Sequence, residues 1–301
     1  MASSESEIRA AESSFGSQAT RQRLKSLLRV LRRSKVPAAF GFVLLILVVA
    51  CYGAALFVPY QPNERAGAIL AAPSFSHLMG TDQFGRDIFT RVLYGGRTSL
   101  TVGLACATLA SGGSLLLALL FTYAGGVWEY LWLRYVDAWL ALPGLVLLLV
   151  LITILGPSLL TIIGILSLSS TITGTRVIRS KILSVKGEDY VLAANALGAG
   201  PFRIALRHLV PNVLSVSIVT GTLGVGGFML AEAALSFLGL GIRPPTPSWG
   251  GMMGVDGRTY IMLAPWMLIG PAIALSLTVM SANMFGDWLR DVLDPRLRGV
   301  I

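Results

Sequence analysis

Residues 138–175 read AWLALPGLVLLLVLITILGPSLLTIIGILSLSSTITGT and contain no charged side chain. As one helix these 38 residues would be about 57 Å long at 1.5 Å per residue, whereas the hydrocarbon core of a bilayer is about 30 Å thick. One crossing cannot use so long a helix. Gly156 and Pro157 can end one helix and open the next. The stretch therefore predicts two membrane-spanning helices with a break at these two residues.

Four further uncharged stretches are each long enough for one spanning helix, which needs about 20 apolar residues. They cover residues 36–63, 98–128, 209–231 and 259–286. The composition agrees, because 54% hydrophobic and 13% charged residues leave too little polar surface for a soluble domain. The mean hydropathy is +0.72. The sequence thus predicts an all-α membrane protein with six transmembrane helices.

The basic residues predict the orientation of these helices. If the N-terminus is cytoplasmic, the inner segments hold 18 of the 24 Lys and Arg residues and the outer segments hold six. This bias satisfies the positive-inside rule and places both termini inside. The net charge of +9 is then explained by topology and by contact with anionic lipid in the membrane. Nucleic acid is not expected as a partner.

The chain divides into three predicted parts. Residues 1–35 form a cytoplasmic tail with a basic amphipathic helix, residues 36–97 contain the first transmembrane helix and an outer segment, and residues 98–301 form the transmembrane core with a short cytoplasmic tail. The amphipathic helix is interpreted as an anchor that sets the topology. A specific contact with a partner subunit is the alternative.

The sequence offers little for catalysis. Cys51 and Cys106 fall inside predicted spans, where a thiol is usually a small apolar packing group, so no disulfide is expected. His77 and His208 are predicted on opposite sides of the membrane and cannot share a metal ion. No His-Glu-x-x-His, Cys-x-x-Cys or Gly-x-Ser-x-Gly string occurs. We expect no catalytic residue, metal or cofactor, and a membrane enzyme is the less favoured class.

Two outer segments are too polar or too irregular to stay in the membrane. In residues 80–87, GTDQFGRD, Thr81 or Asp82 can cap a helix in which Asp87 and Arg91 are spaced i, i+4. Residues 241–263 contain three prolines in four positions, which remove backbone donors and predict an irregular loop.

The cytoplasmic loop between the fourth and fifth predicted spans, residues 187–212, reads GEDYVLAANALGAGPFRIALRHLVPN. It predicts a helical hairpin. Glu188 and Asp189 suit the N-terminus of its first helix, and Gly198 suits the left-handed position after that helix. Gly200 and Pro201 can start the second helix. An apolar face of the first helix is expected from Tyr190, Val191, Ala194 and Leu197. The hairpin either packs on its own bundle or receives a partner on its small alanine surface.

This hairpin resembles the EAA loop of ABC-importer permeases. The family pattern is Glu-Ala-Ala, three residues, Gly, nine residues, Ile, any residue, Leu-Pro. It falls on Leu192-Ala193-Ala194, Gly198, His208, Val210 and Pro211, so the glutamate and the aliphatic pair are replaced here.

Three further strings resemble the dipeptide and oligopeptide permeases of the C type. They are residues 80–87, the run LSFLGLG at 235–241 with residues 244–251, and GDWLRDVLDP at 286–295. Together with the hairpin, these resemblances cover about residues 36–298.

The resemblance implies a permease subunit of an ATP-driven importer in the bacterial inner membrane. Its expected partners are a homologous second permease, two ATP-binding subunits that contact residues 184–212, and an extracytoplasmic substrate-binding protein. The chain contains no Gly-x-x-x-x-Gly-Lys-Ser/Thr loop, so ATP binding is expected on other subunits. The residues expected to form the ATPase-coupling loop are Glu188, Asp189, Tyr190, Ala193, Ala194, Gly198, Arg207 and Pro211.

The resemblance favours di- or oligopeptides as substrate, with nickel, glutathione or oligosaccharides as alternatives in the same class. A secondary transporter is the alternative from another class. Glu232 is the ionisable residue inside a predicted span. It either faces the translocation path, where it would bind a peptide's amino group, or makes a hydrogen bond or ion pair with a neighbouring helix near the outer surface. Asp137 is interpreted as a structural i, i+3 pair with Arg134.

Overall fold

The computed structural model describes residues 35–293, apart from the side chains of Lys35 and Val255. The amphipathic helix predicted within residues 1–35 and the last residues of the string at 286–295 lie outside the described residues. Within them the secondary structure is helical, and strand-like pairing is confined to one isolated bridge between Thr81 and Asp87. The prediction of an all-α protein is confirmed.

The described helices, numbered here in chain order, are α1 (Lys35–Tyr52), α2 (Ala54–Phe57), α3 (Ile88–Ala124), α4 (Gly126–Leu140), α5 (Gly144–Leu155), α6 (Leu159–Lys186), α7 (Asp189–Ala196), α8 (Pro201–Ile204), α9 (Val210–Phe237), α10 (Trp249–Met253), α11 (Val255–Thr259) and α12 (Trp266–Leu293). A π-helical turn, Ala205–Leu209, joins α8 to α9.

Four helical stretches are long and apolar enough to cross a membrane. They are α3, α6, the continuous stretch Pro201–Phe237, and α12. The pair α4 and α5 meets the same criteria only when taken together, and its two halves meet at 91°. Helix α1 is apolar but shorter, with 18 residues that span about 27 Å. By length and composition the described residues thus hold four or five candidate spans and one shorter apolar helix.

The long uncharged stretch is broken where its sequence predicts. Helix α5 ends at Leu155, Gly156 takes a φ of +81°, and Ser158 caps α6 by accepting a hydrogen bond from the Thr161 amide. The second interruption, at residues 141–143, is one that the sequence analysis missed. Pro143 stands immediately before α5 and has no amide proton to continue the ladder of α4.

Helices α3 and α6 form a close parallel pair through small residues. The Ser114 hydroxyl donates to the Thr171 carbonyl at 3.1 Å, and a side chain at Gly113 would come within 2.7 Å of the Thr171 hydroxyl oxygen. Gly174 leaves equally little room beside Ser114. Small residues let transmembrane backbones approach closely. The resulting van der Waals contacts stabilise the pair, since the hydrophobic effect does not drive helices together within lipid. Both Cys51 and Cys106 are buried, unpaired thiols, as predicted.

Helix α3 begins later than predicted. Its N-cap is Asp87, whose carboxylate accepts from the Thr90 amide at 2.8 Å, so capping by Thr81 or Asp82 is wrong. Asp87 pairs with His77 at 3.0 Å, and Arg91 lies 3.7 Å from Asp82. The expected Asp87–Arg91 pair is therefore replaced by contacts to the preceding outer segment, because that segment folds back over the start of α3.

The second outer segment is only partly irregular. Its prolines lie in a loop, as predicted, but α10 and α11 follow them within residues 241–263. Ser248 caps α10 by accepting from the Gly251 amide at 3.1 Å. A serine N-cap directly after the prolines is enough to start this short helix.

Candidate coupling hairpin and buried carboxylate

The hairpin between α6 and the continuous stretch Pro201–Phe237 has the local structure that its sequence predicts. Gly198 adopts a φ of +80°, and its amide donates to the Asn195 carbonyl at 2.9 Å. The Ala199 amide donates to the Ala194 carbonyl at 3.0 Å. These two bonds form a Schellman cap, which needs a left-handed residue and so favours glycine. Gly200 and Pro201 are the N-cap and first residue of α8, as predicted.

The second arm of the hairpin is not a separate helix. It continues without interruption through the π-helical turn into α9, and Pro211 lies just after that turn. The Val210 amide donates to the Ala205 carbonyl, five residues back. Proline cannot donate to the carbonyl four residues before it, and a wider π-turn relieves the clash of its ring with that carbonyl.

The apolar side chains of the hairpin divide into an inner and an outer set. Val191, Ile204 and Leu209 are buried against the ends of α3 and α6. The outer set covers the tip of the hairpin with exposed side chains, of which Leu197 is 88% and Phe202 77% exposed. Of the four residues from which the sequence predicts an apolar face of the first helix, Val191 is buried, Ala194 is half-buried, and Tyr190 and Leu197 are exposed.

The hairpin brings together every residue that the sequence assigns to the coupling loop. Ala194 is half-buried, and the other seven are exposed: Glu188, Asp189, Tyr190, Ala193, Gly198, Arg207 and Pro211. The Glu188 side chain makes no capping bond. The Tyr190 ring lies 6.0 Å from that of His208, across the two arms. A shared surface is thus present, and the contact of these residues with an ATPase stays a prediction.

Glu232 is fully buried and lies where three elements meet. Its carboxylate accepts from the Ser99 hydroxyl of α3 at 3.1 Å and from the Ser236 hydroxyl at 2.7 Å. Ser99 also accepts from the Trp249 amide of α10 at 3.2 Å. The indole of Trp249, itself fully buried, donates to the Val92 carbonyl at 2.7 Å. The carboxylate thus links α3 and α9 to the second outer segment.

Of the two interpretations of Glu232, the structure contains the hydrogen bond to a neighbouring helix. Its carboxylate has no exposure at the surface of this chain. A position on the translocation path stays a prediction. Ser99 and Trp249 were not predicted as parts of this network, because residues separated by 133 and 17 positions from Glu232 give no local signal in a single sequence.

Ion pairs mark one edge of the bundle. Arg134 and Asp137 pair at 3.1 Å, as their spacing predicts, and Asp137 also contacts Arg176 of α6. Arg179 binds Glu129 at 2.6 Å. These pairs fasten α4 to α6 at the end of the bundle that carries the hairpin.

Residues 110–299 match the protein family described as the binding-protein-dependent transport system inner membrane component. This range includes the hairpin and Glu232. The chain belongs to that family. It is a multi-pass permease component of an ABC importer.

The permease is also similar over most of its length to curated proteins. It is 39% identical to a dipeptide transport system permease protein of Alkalihalophilus pseudofirmus, an alignment that covers 86% of this chain and 83% of the relative. It is 38% identical to a putative peptide transport system permease protein of Brucella suis over 90% of both chains. A putative peptide permease protein of the same organism is 37% identical over 86% of this chain and 87% of its own. All three relatives are named as permease proteins.

Proposed function

We propose that this permease forms, with a homologous second permease, the path by which di- or oligopeptides enter the cell. The names of its relatives, a dipeptide permease and two putative peptide permeases, support a peptide substrate. The observation that carries the proposal is the hairpin, which exposes Leu197 and Phe202 outside the bundle. Exposed apolar patches of this kind mark sites where another protein binds.

The proposed topology is six crossings with both termini in the cytoplasm. Four long helices, the bent pair α4 and α5, and the shorter α1 supply six crossings in total. The six predicted spans alternate correctly with the basic residues only if the hairpin is cytoplasmic. This topology places the outer segment of residues 60–87 on the side from which substrate arrives, in the bacterial cytoplasmic membrane.

The proposed ATPase partners are two ATP-binding subunits, one of which docks on residues 184–212. This permease lacks the phosphate-binding loop, so the energy source must be on other chains. The hairpin is fastened to the bundle by Val191, Ile204 and Leu209, and its other face is open. A partner bound to the open face of the hairpin can therefore move the helices that continue from the hairpin.

The proposed outer partner is a substrate-binding protein that docks on the folded outer segment. This segment is held rigidly, since Arg91 donates to the Pro62 carbonyl at 2.8 Å and Trp266 donates to the Thr81 carbonyl at 3.2 Å. Phe75 and Ile69 are exposed on it. A rigid surface with exposed apolar side chains loses little conformational entropy when a partner binds.

Transport by the reconstituted importer tests this function. The permease, its partner permease, the ATPase subunits and the binding protein encoded beside it are placed in liposomes, and uptake of a labelled dipeptide is measured. We expect uptake that needs both ATP and the binding protein. Uptake driven by an ion gradient without ATP would overturn the importer class in favour of a secondary transporter. ATP-dependent uptake of nickel, glutathione or an oligosaccharide, with no uptake of the peptide, would overturn only the substrate.

A further inference from the structure

The break between α4 and α5 leaves backbone groups exposed in the middle of an apolar segment. Residues 141–144 are all exposed at the surface of this chain. At this break, the backbone groups without a hydrogen-bond partner among the described residues are the carbonyls of Ala138, Leu140, Ala141 and Leu142 and the amides of Gly144, Leu145 and Val146. Lipid offers no partner for such groups, so irregular backbone at membrane depth must face water or protein.

The break lies deep in the bundle. The Trp139 indole donates to the Ser169 hydroxyl of α6 at 3.2 Å, which places the break beside Ser169. Ser169 is seven residues from Arg176, in the ion-pair layer, and ten residues from Leu159, the first residue of α6. At 1.5 Å per residue these separations are about 10 Å and about 15 Å.

The other interruptions of the spans lie at the ends of helices. Gly125 follows α3 and precedes α4 on the side of the hairpin, and Gly156 precedes α6 at its opposite end. Backbone at those ends reaches the aqueous edge of the membrane without special arrangement. Among the breaks in the described spans, the one at residues 141–143 lies too far from the helix ends for its backbone groups to reach water at the membrane edge.

We propose that this break lies on the water-filled translocation path of the assembled importer. Water supplies donors and acceptors to all of these backbone groups at once, whereas a protein neighbour would have to match each group in turn. The side chains of residues 140–146 are apolar, so the polar groups that this segment offers are those of its backbone. The proposal rests on the function proposed above, since it requires that an aqueous path crosses this subunit's surface.

Thiol labelling in the assembled complex tests the placement. The two native cysteines are replaced by alanine, and Leu142→Cys is compared with Leu109→Cys. Leu142 is 53% and Leu109 54% exposed. Leu109 lies in the uninterrupted helix α3, and the bond from Ser114 to Thr171 places it within about 5 Å of the level of Ser169. The two positions are thus similar in exposure and depth, and they differ mainly in that the backbone is broken at Leu142 and helical at Leu109.

A charged methanethiosulfonate reagent is added to membranes that contain the full complex, and modification of this chain is followed by mass tagging. A thiol reacts as its thiolate, which forms only in water, so we expect modification at residue 142 at least about tenfold faster than at residue 109. Slow modification at residue 142, no faster than at residue 109, would overturn the proposal. So would a residue 142 that reacts in the isolated chain and not in the complex, because the partner permease would then cover the break.

Two further measurements keep the outcome decisive. If Leu142→Cys does not assemble, Ala141→Cys takes its place under the same criterion, since Ala141 is also exposed within the break. Uptake of the labelled dipeptide is measured on the same unmodified variant. Rapid labelling without dipeptide uptake would contradict the proposed substrate and leave the path where it is placed, whereas uptake without labelling would contradict the path alone.

Discussion

Replacement of Leu197 by alanine separates the two roles that the hairpin could have. Leu197 is 88% exposed and follows the last residue of α7. Because it contacts little of its own chain, its truncation should change the stability of the permease by no more than about 0.5 kcal/mol. Normal insertion and normal thermal stability are therefore expected for Leu197→Ala.

The effect on ATPase binding should be much larger. Full burial of a leucine side chain contributes about 1.5–3 kcal/mol, so truncation of a buried interface leucine should cost about 2 kcal/mol. At about 1.4 kcal/mol for each factor of ten, the Kd for the ATPase should rise about 30-fold. Transport at limiting ATPase concentration should fall with it.

The assay is biolayer interferometry of the purified ATPase on immobilised permease pairs in detergent. Leu160→Ala serves as the matched control, because Leu160 is 79% exposed at the opposite end of the bundle, near the start of α6. Its Kd should equal that of the wild type. Val191→Ala is the converse control. Val191 is buried, so this change should lower the thermal stability of the permease.

A Kd for Leu197→Ala within about twofold of the wild-type value would refute the docking of an ATPase on the hairpin tip, because about 0.4 kcal/mol is too little for a buried leucine. Loss of the variant from the membrane would refute the structural premise instead. It would mean that the tip packs on its own bundle.

Three further predictions follow from single positions. Leu197→Cys should react with an impermeant maleimide only in inverted vesicles. Phe75 is fully exposed in the outer segment, so Phe75→Cys should react only from the periplasmic side. The reverse pattern would show that the topology is inverted. Gly198→Ala should destabilise the hairpin by about 1–2 kcal/mol, measured by hydrogen exchange of residues 189–204. Gly200→Ala should cost less, because both sites have open space around them but, of the two, only Gly198 has a positive φ. Equal protection in the two variants would contradict the left-handed cap. Glu232→Ala should lower the free energy of unfolding by about 3 kcal/mol, because it leaves the buried hydroxyls of Ser99 and Ser236 without an acceptor. Glu232→Gln should lower it by clearly less. Equal Tm values for the two variants would contradict the buried network.

The sequence predicts features whose signal is local. Gly156-Pro157 separates α5 from α6, and Gly198 and Gly200-Pro201 form the turn of the hairpin. Both signals are local, because glycine permits a positive φ and proline fixes φ and lacks an amide proton. The bend before α5 carried the same kind of signal in Pro143-Gly144. It was missed because the run of uncharged residues continues through it, and hydropathy alone does not distinguish a straight span from a broken one.

Features that depend on distant contacts could not be predicted in the same way. Asp82 and Asp87 both suit a helix N-terminus, but Asp82 pairs with Arg86 and Arg91, whereas Asp87 caps α3 and contacts His77, ten residues before it. Likewise, Glu232 is recognisable as an ionisable residue in a span, but its partner Ser99 is one of many serines in the chain. The periodicity of α7 suggested one apolar face, although burial of that face depends on which helices pass beside it.

The hairpin and the buried carboxylate lie on one continuous helix, and this connection relates the two sites. The stretch Pro201–Phe237 has 37 residues, about 55 Å as a helix, with Phe202 near one end and Glu232 near the other. No break interrupts it, so an axial displacement of the hairpin reaches the level of Glu232 with little loss. The π-turn at Ala205–Leu209 is the place where its hydrogen-bond ladder is irregular, and a change in tilt is most easily absorbed there. If the ATPase docks on the hairpin tip, its movement must therefore either bend this turn or strain the hydrogen bond that Glu232 accepts from Ser99 of α3, which also accepts from the Trp249 amide of α10.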